Sequence, residues 1–270
     1  MFHTKKSLGQ NFLEDSQILN KIIETASLKS SDIVLEIGPG QGTLTTKILE
    51  KAKKVIAIEK DDRLINFLEN KFNKEIKEGG LEIIHSDILK FDHEEYFKDS
   101  QYQIIANIPY YITGKFLKKF LSSNSQPTKM VLMLQKEVAQ RIIGESKDPK
   151  KNKESILSIS IKVYGIPKYI RTIPARYFEP QPKVDSAIIL IEKISKRFFE
   201  EIDEESFFLL IKKAFSSKRK TLVNNLDYLP KNDLIKVFKK LNLSPKIRAE
   251  NLSIEDWKNL YFELIPFPKN

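Results

Sequence analysis

Cysteine is absent from the 270-residue chain, and its three histidines, His3, His85 and His93, lie far apart in sequence. The first absence excludes disulfides, thiolate metal sites and cysteine nucleophiles. The second leaves no cluster with metal-ligand spacing, so no metal is expected. Nor does any apolar run approach the roughly 20 residues that a membrane-spanning helix needs. The opening Met1-Phe2-His3-Thr4-Lys5-Lys6 lacks the apolar core of a secretory signal. Together these absences lead us to expect a cytoplasmic protein with no membrane partner. Acidic residues are also in deficit, with 36 Asp and Glu against 46 Lys and Arg and a formal net charge of +10. That surplus favours polyanionic partners through long-range attraction and counterion release, but a lysine-rich composition does not by itself specify nucleic acid.

What is present is globular in character. Hydrophobic residues make up 41% and charged residues 30% of the chain, enough for one sizeable core plus a small appended domain. Leu8, Phe12 and Leu13 are too apolar for a free basic tail, so part of the opening is expected to dock on the body. From Asp15 to Ser27, Ile18, Leu19, Ile22, Ile23 and Ala26 share one helical face.

Next, the β-rich run Asp32 to Ile37 leads into Gly38-Pro39-Gly40-Gln41-Gly42 and then a helix to about Glu50. Glycines between strand and helix allow a tight turn and let a ligand approach the main chain. A second strand, Val55 to Ile58, ends in Glu59, at the spacing from the first glycine where nucleoside sites place an acid on the ribose hydroxyls. A helix over 61–74 and a strand over 81–85 follow, with Asp87 just beyond. This spacing fits nicotinamide cofactors and S-adenosylmethionine alike; the proline inside the glycine string and the acid after the third strand lean to the methyl donor.

The stretch around which the chain is organised is Ile104-Ile105-Ala106-Asn107-Ile108-Pro109-Tyr110-Tyr111. Three apolar residues running into Asn, Pro and two aromatics read as a buried strand that ends in a rigid loop facing a cleft. Asn107 offers an acceptor and a donor, Pro109 fixes the turn with its carbonyl free, and Tyr110 presents a flat face, a set suited to a planar ring bearing an amine. Further on, a helix over 113–121, a strand over 130–134 and helices over 136–143 and 154–163 are predicted, with the charge run 147–153 read as a surface loop. Two β-like runs, 168–173 and 184–191, flank Phe178-Glu179-Pro180-Gln181-Pro182. The two prolines stiffen that connection and hold Phe178 in place, either as a core anchor or as a stacking partner for a base. From about Ser195 the pattern turns wholly helical, over 206–217, 220–227, 231–241 and 253–264. The expected division is an α/β domain over 1–195 and a helical domain over 196–270. Within the latter, Lys212 to Lys220 carries five cations and no acid, interleaved with Phe215, which favours nucleic-acid contact over a merely solvated helix end.

The string Asn107-Ile108-Pro109-Tyr110 resembles the signature of methyltransferases that modify the exocyclic amine of adenine. It stands in order with Leu8-Gly9-Gln10-Asn11-Phe12-Leu13, Glu36-Ile37-Gly38-Pro39-Gly40-Gln41-Gly42, Phe178 to Ser186, Ala214 to Leu222, and Ile247-Arg248-Ala249-Glu250-Asn251-Leu252. The whole set resembles the bacterial small-subunit ribosomal RNA adenine N6,N6-dimethyltransferase family. The last two strings match it better than the macrolide-resistance methyltransferases of large-subunit RNA, which remain the alternative beside a non-catalytic ribosome-assembly factor.

The resemblance implies a Rossmann-like S-adenosylmethionine-dependent methyltransferase sheet with a small all-α carboxy-terminal domain. It also implies a monomer that acts on 16S RNA in the small ribosomal subunit. By the same resemblance Asn11 and Leu13 cover the donor, and Gly38 and Gly40 line it. Glu59 holds the ribose, Asp87 reads the donor's adenine amine, and Asn107 bridges donor and target. Asn107 and the Pro109 carbonyl would accept the target amine's protons, Tyr110 and Phe178 would sandwich the base, and Tyr111 is read as structural. Lys218, Arg219 and Lys220 are the expected RNA contacts. Departures from the family pattern are Ile108, Ala249 and Ser217-Lys218; Ala249 leaves the shape of the last loop open.

Overall fold

The structure is a computed structural model that describes residues 10–98, 100–144 and 153–264. Leu8 and Gly9 of the first string and residues 147–152 of the charge run lie outside the described residues. In chain order the elements begin with β1 (Phe12–Leu13), α1 (Ser16–Ala26), β2 (Ile33–Ile37), α2 (Thr43–Leu49), β3 (Lys54–Glu59), α3 (Asp62–Lys71) and α4 (Asn73–Lys77). They continue through β4 (Leu81–His85), α5 (His93–Tyr96), β5 (Gln103–Asn107), α6 (Thr113–Leu121), β6 (Lys129–Gln135), α7 (Lys136–Ile143), α8 (Ile156–Lys162), β7 (Ile166–Ile173), β8 (Phe178–Glu179) and β9 (Ser186–Glu192). Four helices close the chain: α9 (Glu204–Ala214), α10 (Leu222–Asn225), α11 (Lys231–Lys240) and α12 (Ile254–Leu264).

Seven strands form one sheet in the order β4-β3-β2-β5-β6-β9-β7, the first five parallel and the last two each antiparallel to its neighbour. The interiors of the central strands are apolar apart from Glu36 because helices cover both faces of a parallel sheet; Met130 to Leu134 in β6 are all buried. The chain winds outward from β2 to β4 and then returns to β2's other side with β5. Strand order therefore reverses between β2 and β5, and the crevice at their carboxyl ends is where such sheets hold ligands.

α1 forms as its spacing predicts. Asp15 caps it by accepting from the Ile18 amide at 2.9 Å, and Ile18, Leu19, Ile22 and Ala26 are buried. Full burial of an isoleucine or leucine side chain is worth about 1.5–3 kcal/mol. The single helix expected over 61–74 is instead two, α3 and α4, broken at Phe72, whose backbone leaves the helical region and whose ring is 4% exposed. The helical pattern yields because that ring turns inward against the glycine turn. The docked amino terminus is realised as β1, which pairs antiparallel with β8, Leu13 opposite Phe178.

Two compact units emerge: 1–139 with 165–195, and 140–164 with 196–270. The single boundary expected at 195 thus needs a second passage, because 140–164 groups with the helical unit. Within that unit the Tyr164 hydroxyl donates to Glu204 at 2.7 Å and its ring lies 5.2 Å from that of Phe199, while the Glu154 amide donates to the Glu250 carbonyl at 2.8 Å. Such tertiary contacts carry no local sequence signal.

Candidate active site

The sheet unit carries a pocket at the carboxyl ends of β2, β3 and β5, and its lining includes Asn11, Leu13, Gly38, Gly40, Glu59 and Asp87 together with Asn107, Pro109, Tyr110 and Phe178. Residues drawn from 11 to 178 in sequence are gathered by the switch in strand order. The three glycines between β2 and α2 all have positive φ, yet their surroundings differ. A Cβ at Gly40 would lie 2.9 Å from the Phe12 ring, and one at Gly42 2.5 Å from the Phe72 ring, whereas Gly38 has nothing within 4 Å. Gly40 and Gly42 are therefore required by aromatic rings of the protein itself. Of the three, only Gly38 has open space at its α-carbon, a distinction that the sequence spacing does not make.

Glu59 ends β3 and is 5% exposed. Its Oε1 accepts from the amides of Lys60 and Asp61, each at 2.8 Å, and its Oε2 accepts from that of Gly40 at 3.2 Å. Burial pushes its pKa up, and the three amides work against that rise by stabilising the charge. Oε2 accepts the one hydrogen bond from Gly40 and retains further acceptor capacity, and Glu59 lines the pocket. Asp61, which the sequence reading passed over, is 1% exposed and ties three segments together. It accepts from the Gln10 side chain at 2.8 Å and from Arg63 Nε at 2.9 Å, and its own amide donates to Glu59.

Asp87 follows β4. Its Oδ1 accepts from the Leu89 amide at 3.0 Å and its Oδ2 from Lys60 Nζ at 2.8 Å, and the lysine holds its pKa below the usual carboxylate range. Glu36, inside β2, is 1% exposed, and its Oε2 has no hydrogen-bond partner among the described residues. Burial, helped by the charge of Glu59, pushes its pKa up to about 8. The sequence did offer a signal for it, an acid inside an otherwise apolar strand.

Asn107 closes β5. Its Nδ2 donates to the Asn11 carbonyl at 3.2 Å, which fixes the amide's orientation and leaves Oδ1 as the acceptor. The backbone of Pro109 is extended, and its carbonyl accepts from the Ile112 amide at 3.1 Å. The expectation of a free carbonyl is thus corrected: a one-turn 3-10 helix over Tyr110–Ile112 uses one of its two lone pairs and leaves the other. The same turn sends alternate residues in different directions. Tyr110 is pinned through its hydroxyl, 3.1 Å from Ser186 Oγ, and Ile112 is buried, but Tyr111 is 60% exposed. A structural role for Tyr111 is therefore not what the structure supports; it stands on the pocket rim. Phe178 is 4% exposed, belongs to the core around β6 and β9, and also lines the pocket. Its two readings are compatible because the same residue belongs to the core and lines the pocket.

In the helical unit Lys218, Arg219 and Lys220 are all exposed, on the loop after α9. Buried Asn225 shapes that loop, its Nδ2 donating to the carbonyls of Ala214 at 2.6 Å and Ser217 at 3.0 Å. Lys218 and Lys220 border a pocket with Arg141 and Arg248, where the two acids, Glu154 and Glu250, are engaged by Lys162 and Lys153. The four pocket cations make no ion pair among the described residues. Ala249 opens a short 3-10 turn over Ala249–Asn251 and is buried, which gives the loop its shape without a glycine.

Comparison with known proteins agrees with this fold. Residues 1–265 match the family described as ribosomal RNA adenine dimethylase. A ribosomal RNA small subunit methyltransferase A of Dehalococcoides mccartyi is 40% identical over 263 residues, covering 96% of this chain and 88% of its own. The one from Mycoplasma mobile is 42% identical over 261 residues, with 96% and 98% covered. Among solved structures, a dimethyladenosine transferase from Plasmodium falciparum superposes with a TM-score of 0.77 at 32% identity, covering 93% of this chain and 96% of that one. The 23S rRNA methyltransferase ErmE gives the same TM-score at 24% identity, covering 94% and 99%, a likeness of fold alone.

Proposed function

The chain belongs to the ribosomal RNA adenine dimethylase family, and on that footing we propose that it dimethylates N6 of two adjacent adenines in the 3'-terminal hairpin of 16S RNA, as the small subunit matures. The methyl donor is S-adenosylmethionine, which supplies an electrophilic sulfonium methyl. The enzyme acts as a monomer in the cytoplasm. One observation carries the reading: the Asn107 amide is oriented by the Asn11 carbonyl, and Asn107 lines one pocket together with Pro109 and Tyr110.

The chemistry follows from the target. An adenine amine is a poor nucleophile because its lone pair is delocalised into the ring. Accepting its two protons at Asn107 Oδ1 and at the remaining lone pair of the Pro109 carbonyl favours a pyramidal nitrogen whose lone pair faces the methyl group. Tyr110 and Phe178 hold the extruded base by stacking, worth about 1–3 kcal/mol per face. Positioning alone supplies roughly 7–11 kcal/mol in favourable intramolecular cases. The nitrogen would become cationic as the carbon–nitrogen bond forms and the methyl's carbon–sulfur bond breaks, its electron pair leaving with sulfur as the neutral thioether S-adenosylhomocysteine, and would then lose its proton to water, so no strong base is needed. Glu59 fits the ribose because Oε2 keeps acceptor capacity inside a buried wall, and Gly38 fits the amino-acid end because its α-carbon faces open space.

The decisive experiment incubates the protein with tritiated S-adenosylmethionine and unmethylated small subunits, followed by primer extension. Paired stops at adjacent adenines near the 3' end are expected. Label on large-subunit RNA would instead indicate the macrolide-resistance type of activity, and label on neither would indicate an assembly factor. Glu59→Gln should weaken donor binding by about 10–100-fold in calorimetry, the value of losing a hydrogen bond to a charged group; an unchanged affinity would remove Glu59 from the ribose site. Replacing Lys218, Arg219 and Lys220 together with Ala should lower the slope of log affinity for subunits against log salt by roughly 2–3 while sparing donor binding. A parental slope would take the phosphate contact away from this loop.

A further inference from the structure

Tyr111 stands beside the residues that the proposed function gives to the target base, yet that function leaves it unused. Of the large apolar side chains exposed among the described residues it is the most exposed, at 60%, and the only one that lines the pocket of the sheet unit. Its side chain makes no hydrogen bond or ring contact among the described residues. Its backbone, by contrast, is held on both sides. The Ile112 amide donates to the Pro109 carbonyl at 3.1 Å, Thr113 Oγ1 donates to the Tyr110 carbonyl at 3.3 Å, and Ile112 and Thr113 are buried. The turn therefore fixes where Tyr111 stands and leaves its ring in water.

Successive residues of a 3-10 turn are set about 120° apart around its axis. Tyr110 is half-buried, with its hydroxyl 3.1 Å from Ser186 Oγ, so the two tyrosine rings do not share one base. We propose that Tyr111 is a second stacking platform, which takes the nucleotide directly adjacent to the extruded adenine while Tyr110 and Phe178 hold the adenine itself. The inference rests on the reading of this pocket as the target-base site. Extrusion uncovers a face of the base on either side, and a single phosphodiester keeps that neighbour near the mouth of the pocket. A flat ring on the rim replaces the lost stack, and tyrosine does so at low entropic cost because it has two rotatable bonds and a hydroxyl that tolerates water. A protein partner would need an apolar patch, and no other exposed large apolar residue among those described lines this pocket, whereas one ring suffices for one base.

The test uses small subunits reconstituted with 16S RNA that is intact or carries an abasic nucleotide in place of one or the other of the two adjacent adenines. The remaining adenine then reports with its 5' or its 3' neighbour missing. Tritium transfer at limiting subunit concentration gives kcat/KM for the parent, Tyr111→Ala and Tyr111→Trp. On intact subunits Tyr111→Ala should be slower by about 10–100-fold, and Tyr111→Trp, which restores a ring, should stay within a few-fold of the parent. On the abasic substrate that lacks the stacked base, Tyr111→Ala and the parent should become equal. Comparing variant with parent on the same substrate cancels whatever base removal does to the hairpin itself. A Tyr111→Ala defect of the same size on every substrate, or a Tyr111→Trp rate as low as that of Tyr111→Ala, would overturn the platform while leaving the parent active. A parent that labels neither adenine of intact subunits would instead remove the target-site reading, and the platform with it.

Discussion

Asn107→Ala loses at least about 10²–10³-fold in methyl transfer, the range expected when one oriented polar group at the reacting centre is removed. It nonetheless sediments with unmethylated small subunits within a few-fold of the parent, since the cations proposed to hold RNA belong to the helical unit's own loop. Donor affinity falls only modestly. Losing the Nδ2 donor releases one contact to the Asn11 carbonyl at 3.2 Å, but the segment remains tied by β1 pairing with β8 and by Thr43 Oγ1 donating to the Leu13 carbonyl at 3.1 Å. Filter-bound tritium transfer and co-sedimentation on the same subunits separate the two effects. Near-parental dimethylation would show that the cleft had been misassigned, and lost sedimentation would move Asn107 from catalysis to docking or folding.

Glu36→Gln raises stability, and by an amount that grows with pH. The folded carboxyl titrates at about 8, whereas an exposed one titrates near 4.5. Below the lower value both states are protonated and the side chain contributes no pH dependence. Between the two values the unfolded chain gives up its proton while the folded chain keeps it. Folding then weakens by up to roughly 1.4 kcal/mol per pH unit, until the folded carboxyl also ionises. Glutamine is neutral in both states and escapes this loss. The variant's melting temperature should match the parent's near pH 4 and exceed it by about 5–10 °C at pH 8, as a few kcal/mol does in a chain of this size. A difference that is flat with pH would mean that Glu36 is ionised throughout, compensated by Lys71, whose charge lies close enough to oppose the rise.

The order of strands and helices in the sheet unit was legible because each element carries its own period: an apolar run for β6, one apolar face for α1, a glycine turn with acids at fixed spacing after it. The residues of the cleft were legible as a set for the same reason, since Gly38, Glu59, Asp87 and Asn107 each end or follow a strand, and parallel strands bring their carboxyl ends together. What the sequence could not settle were relations between segments distant along the chain. Phe72 breaks a good helical pattern because Gly42 leaves room for its ring, and Gly40 is small because Phe12, 28 positions earlier in the sequence, packs on it. The Asn107 amide takes its orientation from a carbonyl 96 residues away, and Tyr111 faces solvent because a single 3-10 turn separates it from Tyr110 and Ile112. Residues 140–164 join the helical unit through Tyr164 and Glu154, whose partners lie beyond residue 195. Local periodicity decides which element forms; which atoms meet, and so which acid is paired, buried or open to a ligand, is decided only when the chain closes on itself.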